Sequence, residues 1–468
     1  MGKDGFRAGV GRVIINPPLT APHANWGAQV HVLPDGIEAD IWATVLVVAD
    51  DREMAAFVDL DLIILTAEES DAVRAAVGVV LGIPARAVRA SVTHNHAGSP
   101  PSGWNWMSEG QAALTAYYAM LPDMAASAAR LALQDLRPAR VGVGSGESRV
   151  AVNRREIAPD GRPLTGVNLG GVIDPEVFVV RIDDREQQPL AAIVGYTMHP
   201  TTMGPTNRLV SPDWPGHLKR TVARITGATC LFAQGATGNV GPGPDGFTDD
   251  VRVIRRIGAR IGCEAARVYL GLQLPPVRYR HERAWESGAP LGKWIAEPVD
   301  ESEPVVRTDS ATINLPLIQQ PPVAKAEAAV AAAEARLHDI KSGGAPATEI
   351  EAATFVAKRA NMTAARARLY GGRAAFPAEL HLLQIGPALF AGTEGEPFCE
   401  IGLAIKERSP FSSTWFGGYT GGWAGYIPTA EDYPKRGYEV DTSPFAPQAA
   451  RQLIDETVAA LKKFAASS

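Results

Sequence analysis

The sequence predicts an α/β protein in which a β-sheet core is flanked by helices. Short β-branched runs alternate with helical patterns throughout the first 270 residues, which is typical of strands covered by helices. The chain has 468 residues, of which 46% are hydrophobic and 21% charged, so it can bury a large core. No clear linker divides it, and we predict one domain over residues 1–468 with a helical insertion.

Several runs have the short length and apolar character of buried strands. They lie at 43–50, 54–65, 87–94, 140–148, 176–183, 191–199 and 228–236. Further along the chain, residues 378–398 predict a strand, a turn and a second strand. Residues 416–439 form a loop that is rich in Gly and aromatic residues.

Helical spacing marks three other stretches. Residues 67–82 end on Gly82 shortly before Pro84, as helices commonly do. A long helix is predicted over about 110–135, and an amphipathic helix over 447–466 closes the chain.

The Ala-rich segment 322–371 predicts an inserted antiparallel helical hairpin. Apolar residues recur every seven positions on both sides of a Gly-Pro turn at 342–346. These residues are Val323, Val330 and Leu337 on the first arm, and Phe355, Met362 and Leu369 on the second. We interpret the hairpin as a structural addition; an arm or lid, or a contact in a homo-oligomer, are the alternatives.

Charge and composition exclude several classes of function. The formal net charge is -6 and no basic block occurs, so nucleic acid is not expected as a partner. No apolar run approaches the roughly 20 residues of a membrane helix, and the N-terminus lacks the apolar stretch of a signal peptide. The three cysteines are scattered, which argues against a disulfide scaffold and a thiolate zinc site. We expect a cytoplasmic protein with no membrane partner.

The densest group of reactive side chains lies in residues 91–103, where a strand leads into Thr93-His94-Asn95-His96. His94 and His96 are two positions apart at a strand end, so we expect both side chains on one face. Neutral imidazole is a common zinc ligand, and His199, which also follows a strand, would complete a set of three. The alternative is that these histidines are structural.

Acidic and Gly-rich segments are less informative. The candidate acids at strand ends and in turns are Asp59, Asp61, Asp213, Glu394 and Glu396, and periodicity does not rank them. The Gly-rich residues 235–246 lack the Lys-Ser/Thr pair of a P-loop, and the chain has no GxSxG motif. The residues therefore disfavour a nucleotide site and an α/β-hydrolase mechanism.

Taken in order, the motifs resemble those of the neutral/alkaline non-lysosomal ceramidase family. The resemblance covers about residues 8–455 and rests on the order of the motifs rather than on any one of them. They are Gly9 to Pro17, Thr93 to Gly98, Asn153-Arg154, His199, Asp213-Trp214-Pro215-Gly216, Phe232 to Pro242, Gly395-Glu396-Pro397-Phe398, and Tyr426 to Glu439.

The resemblance implies a fold like the ceramidase catalytic domain and one catalytic zinc ion per chain. The implied zinc ligands are His94, His199, Glu396 and Tyr426. The residues implied to contact the substrate carbonyl and the developing oxyanion are His96, Arg154 and Tyr438. We also expect Gly241, Asn239 and Trp423 to bind substrate.

Two departures from the family pattern change the expected chemistry. The family places its proposed serine nucleophile where this chain has Gly241, so we expect zinc-activated water to attack instead. We also expect crowding or a positive φ at Gly241 to disfavour a serine there. We expect no C-terminal immunoglobulin-like domain and no secretory signal of the kind found in lipid-degrading members, and therefore a substrate other than ceramide.

The sequence therefore predicts a zinc-dependent hydrolase that cleaves a carboxamide, either a small linear amide or a cyclic one. A zinc-dependent ester or lactone hydrolase would use the same site residues and is one alternative. A zinc lyase or isomerase with His96 as the base is another. The expected partner is a small-molecule amide.

Overall fold

The computed structural model describes residues 5–23, 25–29, 31–102, 109–299 and 304–467. It is a mixed structure of sheets and helices, which confirms the predicted fold class. Gly103, the last residue of the predicted histidine segment, lies outside the described residues. Among the helices in those ranges, none is both long enough and apolar enough to cross a membrane.

The strands occur along the whole chain. In order they are β1 (Arg7–Ile14), β2 (Gly36–Ile37), β3 (Trp42–Ala49), β4 (Met54–Leu60), β5 (Val88–Val92), β6 (Arg137–Glu147), β7 (Ala151–Ile157), β8 (Pro163–Asn168), β9 (Glu176–Asp184), β10 (Pro189–Tyr196), β11 (Leu209–Val210), β12 (Thr229–Gln234), β13 (Val240–Pro242), β14 (Val277–Glu286), β15 (Pro290–Pro298), β16 (Val306–Pro316), β17 (Ala375–Ile385), β18 (Ala388–Thr393), β19 (Glu396–Pro397), β20 (Thr414–Gly417) and β21 (Tyr426–Ile427).

The helices lie between these strands and at the end of the chain. In order they are α1 (Ala67–Leu81), α2 (Gln111–Gln134), α3 (Asp213–Thr226), α4 (Val251–Gly271), α5 (Val323–Ser342), α6 (Ala347–Tyr370), α7 (Cys399–Arg408), α8 (Tyr438–Thr442) and α9 (Ala449–Ala466). Short 3₁₀ turns occur at Ala85–Ala87 and Ala430–Asp432.

The largest sheet has eight strands in the order β12-β10-β9-β6-β1-β3-β4-β5. Its last strand at one end, β12, lies against β4 and β5 at the other end, so the two ends of the sheet approach each other. A second, four-stranded sheet has the order β16-β17-β18-β20. The two sheets share a core, in which Phe57 of β4 and Phe178 of β9 pack against Phe390 of β18.

Both faces of the large sheet are buried. Alternate residues of β3 point to opposite faces: Val45 packs with α1 and α2, whereas Leu46 faces the core shared with the second sheet. Helices α3 and α4 cover the face formed by β9, β10 and β12. This arrangement explains why the predicted strands read as nearly continuous apolar runs.

Element boundaries follow local chemistry. Helix α1 begins after Thr66, which forms a reciprocal capping box with Glu69, and ends at Gly82 with φ 69°, as predicted. Strand β4 ends at Leu60, earlier than the predicted 54–65. The amide of Leu62 bonds back to the Leu60 carbonyl at 2.8 Å, a tight turn that interrupts the extended chain.

A buried ion cluster lies at the end of β4. The Nζ atom of Lys219 in α3 is 2.9 Å from Asp59 Oδ2 and 2.7 Å from Asp61 Oδ1. Asp59 Oδ2 also accepts a hydrogen bond from the amide of Phe232 in β12, at 2.9 Å. Asp61 Oδ2 accepts one from the amide of Trp42 in β3, at 3.0 Å. The cluster therefore joins β3, β4, β12 and α3.

Helices α5 and α6 form an antiparallel pair, with Glu327 near Arg368 and Glu334 near Asn361. The seam differs from the predicted heptad positions. Leu369 is 55% exposed, whereas the buried contacts are made by Ala326, Ala364 and Ala367, with Val330 packed against them. Alanine side chains are small, so helices that meet through them approach closely and leave the larger residues at the margin.

We predict that Lys219→Met lowers the free energy of unfolding by about 3–5 kcal/mol, because it leaves two buried carboxylates without their cation. Urea unfolding of the full chain measures the change. Arg220→Met is the matched control, since Arg220 is exposed on the same helix, and it should shift stability by less than about 0.5 kcal/mol. A loss below about 1 kcal/mol for Lys219→Met would contradict a stabilising role for the cluster.

Candidate metal centre and active site

His94 lies just beyond β5, where the backbone is tied to the end of β4. The amides of Thr93 and Asn95 bond to the carbonyls of Leu60 and Leu62 at 2.9 and 3.1 Å. His94 itself has φ 65°, a left-handed conformation that costs a non-glycine residue ~1–3 kcal/mol and clusters at functional sites. The predicted reason for the approach of His94 and His96 was wrong: they converge through this backbone turn and not through strand alternation.

Each of the three histidines is oriented by a main-chain carbonyl. Nδ1 of His94 lies 2.8 Å from the Ile63 oxygen, and Nδ1 of His199 lies 3.0 Å from the Thr237 oxygen. Nδ1 of His96 lies 3.2 Å from the oxygen of Asn25. Because a carbonyl oxygen only accepts hydrogen bonds, each Nδ1 is the donor, and the neutral ring has its lone pair on Nε2.

The three Nε2 atoms meet at one point. Nε2 of His94 is 3.0 Å from Nε2 of His199 and 3.3 Å from Nε2 of His96. Three lone pairs that face one another repel unless a cation lies among them. Nitrogen ligands of a tetrahedral zinc ion, each ~2.0–2.1 Å from the metal, lie roughly 3.3 Å apart. The donor set and its spacing therefore fit a metal ion.

Glu396 adds a carboxylate to this group. Its Oε2 atom is 3.4 Å from Nε2 of His199 and 3.6 Å from Nε2 of His94. Its Oε1 atom accepts a hydrogen bond of 2.8 Å from the indole of Trp423. The parallel pairing of β19 with β21 places Glu396 directly opposite Tyr426.

Burial favours the neutral form of every group in this cluster. It lowers the pKa of His94 and of His199 well below the ordinary histidine value, and that of His96 to about 3. Burial also raises the pKa of Glu396 to about 7, although the Trp423 hydrogen bond and the charge of Arg154 oppose the rise. Neutral imidazole is the form that binds metal ions.

Arg154 lies on the other side of Glu396 and Tyr426. Its Nη2 atom donates to the Tyr426 hydroxyl at 3.1 Å and to the Gly238 carbonyl at 2.8 Å. Its Nε atom is 2.9 Å from Oε1 of Glu439. Within the described part of the chain, no residue accepts a hydrogen bond from Nη1 of Arg154. That atom is therefore free to bind a substrate oxygen.

Tyr438 lies at the margin of the site. Its ring meets that of Tyr426 edge to face at 72°, with the ring centroids 5.8 Å apart, and 51% of the residue is exposed. Tyr438 therefore connects the buried cluster to solvent. The structure thus brings together the residues that the family resemblance implies, which are His94, His96, His199, Glu396, Arg154, Tyr426 and Tyr438.

Two of the residues expected to bind substrate have polar atoms that are hydrogen-bonded within the protein. Asn239 is buried, with Nδ2 bonded to Glu400 at 2.7 Å and Oδ1 to the amide of Cys399 at 2.8 Å, so both polar ends are occupied. The Trp423 indole N–H is directed at Glu396. These contacts orient both side chains, and substrate binding by Asn239 and Trp423 stays a prediction.

Gly241 was expected to need a positive φ or to be crowded, and this was wrong. It lies in β13, opposite Val152 of β7, and has no positive φ. A Cβ atom at this position would lie 3.6 Å from Cβ and Cδ of Arg154, which is ordinary contact distance. The backbone at Gly241 therefore accommodates a side chain.

Sequence reasoning missed Tyr419. Its ring lies over His94, with the ring centroids 4.2 Å apart. Its hydroxyl is 2.7 Å from Thr237 Oγ1 and donates to Glu396 Oε2 at 3.3 Å. Its φ of 56° is again left-handed. The only sequence feature pointing to it was its place in the Gly- and aromatic-rich loop 416–439.

The remaining candidate acids are structural. Asp59 and Asp61 belong to the Lys219 cluster. Asp213 accepts hydrogen bonds from the amides of Met203 and Trp214, and Glu394 accepts one from the amide of Glu379. Of the five acids singled out from the sequence, Glu396 is the one whose carboxylate faces the histidines.

The chain is similar in sequence to known proteins of one family. Residues 6–243 match the family model of the neutral/alkaline non-lysosomal ceramidase N-terminal region. The neutral ceramidase of Pseudomonas aeruginosa is 31% identical over 143 residues, which cover 28% of this chain and 21% of that protein.

Two solved structures share the fold. The crystal structure of neutral ceramidase from Pseudomonas aeruginosa has a TM-score of 0.66 at 18% identity, over 98% of this chain and 75% of that one. A ceramidase complexed with C2 gives a TM-score of 0.65 at 18% identity, over 98% of this chain and 76% of that one. The family model covers more than half of the sequence, and the chain belongs to the neutral/alkaline non-lysosomal ceramidase family.

We predict that His199→Ala lowers zinc affinity by more than ~100-fold. Loss of a residue that only hydrogen-bonds a metal ligand typically lowers metal affinity by ~10–100-fold, and loss of a ligand should cost more. The variant removes one nitrogen of the donor set, and competition with a chromogenic chelator measures the affinity. His338→Ala, on the exposed surface of α5, is the matched control and should bind zinc as the unmodified chain does.

The same competition with a chelator decides whether His96 or Tyr426 is the fourth zinc ligand. The family motif implies Tyr426, so Tyr426→Phe should weaken zinc binding while His96→Ala retains it. The opposite result would make His96 the ligand and exclude Tyr426 from the donor set.

Proposed function

We propose that this member of the neutral/alkaline ceramidase family is a metal-dependent hydrolase of carboxamides. The observation that carries the proposal is the 3.0 Å separation of the Nε2 atoms of His94 and His199, whose lone pairs face each other. A cation between them removes the repulsion. Zinc suits a set of two imidazoles and a carboxylate with one further oxygen ligand.

His94, His199, Glu396 and Tyr426 would hold the metal in this proposal. When bound, the metal supplies Lewis-acid chemistry, which activates water and polarises a carbonyl group. Trp423 and Tyr419 donate hydrogen bonds to the two oxygens of Glu396, at 2.8 and 3.3 Å, and so fix the orientation of its carboxylate.

In this proposal His96 moves the proton. Its Nδ1 proton is held by the Asn25 carbonyl, so Nε2 presents a lone pair toward the centre of the site. That atom accepts the proton of the attacking water and returns it to the nitrogen of the leaving amine. An amide needs this second transfer because an unprotonated amine anion is a poor leaving group.

Arg154 and Tyr438 stabilise the developing oxyanion in this proposal. Nη1 of Arg154 is left without a protein acceptor in the described residues, while its Nη2 and Nε atoms are held by Tyr426, Gly238 and Glu439. A guanidinium fixed in this way donates without reorganising during the reaction. One such donor is worth about 3–4 kcal/mol in comparable sites.

Gly241 favours attack by water over attack by a side chain. Glycine provides no hydroxyl, although the backbone has space for one. The nearby Thr237 hydroxyl is hydrogen-bonded to the Tyr419 hydroxyl at 2.7 Å, and the main-chain carbonyl of Thr237 orients His199. Thr237 thus has a structural role in the site.

The proposal is tested with zinc-loaded full-length protein and a panel of a short N-acyl amide, a ceramide, a lactam, and the ester and lactone counterparts. Amide hydrolysis should be abolished by chelation and restored by zinc, with no change in the intact mass of the protein during turnover. Cleavage of esters and lactones alone, or a product without added water, would overturn it.

We predict that Tyr438→Phe lowers kcat by about 100-fold at unchanged zinc content, because it removes one oxyanion donor. Initial rates on the best amide of the panel measure the effect. Tyr279→Phe, on exposed β14, is the matched control. A Tyr438→Phe variant with the original kcat would exclude the hydroxyl from transition-state stabilisation.

A further inference from the structure

Helix α6 of the inserted hairpin directs one face at the body of the protein. Lys358, Arg366 and Tyr370 are spaced eight and four residues apart, so they share this face of the helix. Each of the three donates a hydrogen bond to a main-chain carbonyl outside the hairpin. The carbonyls belong to three different segments, one of which orients His96 while the other two carry Trp423 and Tyr438.

Lys358 holds the segment 25–29. Its Nζ atom donates to the carbonyls of Gly27 and Gln29, the second at 3.1 Å. This segment contains the Asn25 carbonyl that orients His96, and its Trp26 ring lies 5.1 Å from the His96 ring, measured between centroids. Lys358 therefore acts on the position of His96 through this segment.

Tyr370 and Arg366 hold the other two segments. The Tyr370 hydroxyl donates to the carbonyl of Ala424 at 3.1 Å, next to Trp423. Nη1 of Arg366 donates to the carbonyl of Thr442 at 3.2 Å, at the end of the short helix α8 that begins with Tyr438. One helix face thus contacts the segment that orients His96 and the two segments that carry Trp423 and Tyr438.

We propose that α6 is a positioning element of the active site, in which Lys358, Arg366 and Tyr370 fix the three segments around the catalytic groups. The hairpin is then part of the catalytic apparatus rather than a structural addition. The kinetic part of this proposal rests on the proposed amide hydrolysis. The structural part does not, because segment mobility is measured without substrate.

The test compares Lys358→Met, which keeps the aliphatic stem, with Lys358→Arg, which keeps donors. In Lys358→Met, hydrogen exchange in peptides containing residues 25–29 should quicken by ~10-fold, since the segment loses its anchor. For the amide substrate, kcat should fall by ~10–100-fold with KM changed less than ~3-fold, because His96 moves a proton and does not bind substrate. Lys358→Arg should restore both.

Arg359→Ala is the matched control, one position along α6 on its exposed face. Tyr370→Phe is the second variant, and it should quicken exchange around Ala424 while leaving residues 25–29 unchanged. The proposal is overturned if Lys358→Met matches Arg359→Ala in both exchange and kcat. It is also overturned if Lys358→Met unfolds and Lys358→Arg fails to rescue it. Absence of amide cleavage in the unmodified chain would instead refute the proposed function and leave the exchange result to stand.

Discussion

The site depends on where three imidazole protons are held. Carbonyls of Ile63, Thr237 and Asn25 each accept the Nδ1 proton of one histidine, and this leaves the three Nε2 lone pairs directed at a common point. The carbonyls belong to three separate segments of backbone. The positions of those segments, more than the packing of the rings, therefore determine the geometry of the donor set, and burial strengthens the effect by disfavouring imidazolium.

The ion cluster of Lys219 helps to fix the carbonyls of Ile63 and Thr237 relative to each other. Asp59 accepts a hydrogen bond from the amide of Phe232, which joins β4 to β12 where the two ends of the large sheet meet. Ile63 follows Asp59 by four residues, and Thr237 follows Phe232 by five. One buried carboxylate thus links the two stretches of chain that orient His94 and His199.

Features that depend on short-range patterns could be predicted from the sequence. The strands of the large sheet other than β1, the end of α1 at Gly82, and the position of His199 shortly after β10 all follow from local residue order. The left-handed backbone of His94 and the stacking of Tyr419 on its ring could not, because they depend on partners far along the chain. The hydrogen bonds of Asn239 and the alanine seam in the hairpin were not predicted for the same reason, since side-chain partners decide them.

The long chain separations within the site have a consequence for folding. His94 and His199 are 105 residues apart, and Arg154 and Tyr426 are 272 apart. Bringing such distant residues together costs chain entropy before their contacts offset it, so loops of this size close on an already ordered framework. His94 follows β5 and His199 follows β10, so a refolding chain in which either strand is still unformed lacks the donor set. Recovery of the site during refolding therefore reports that the large sheet and the β19–β21 pair have both formed.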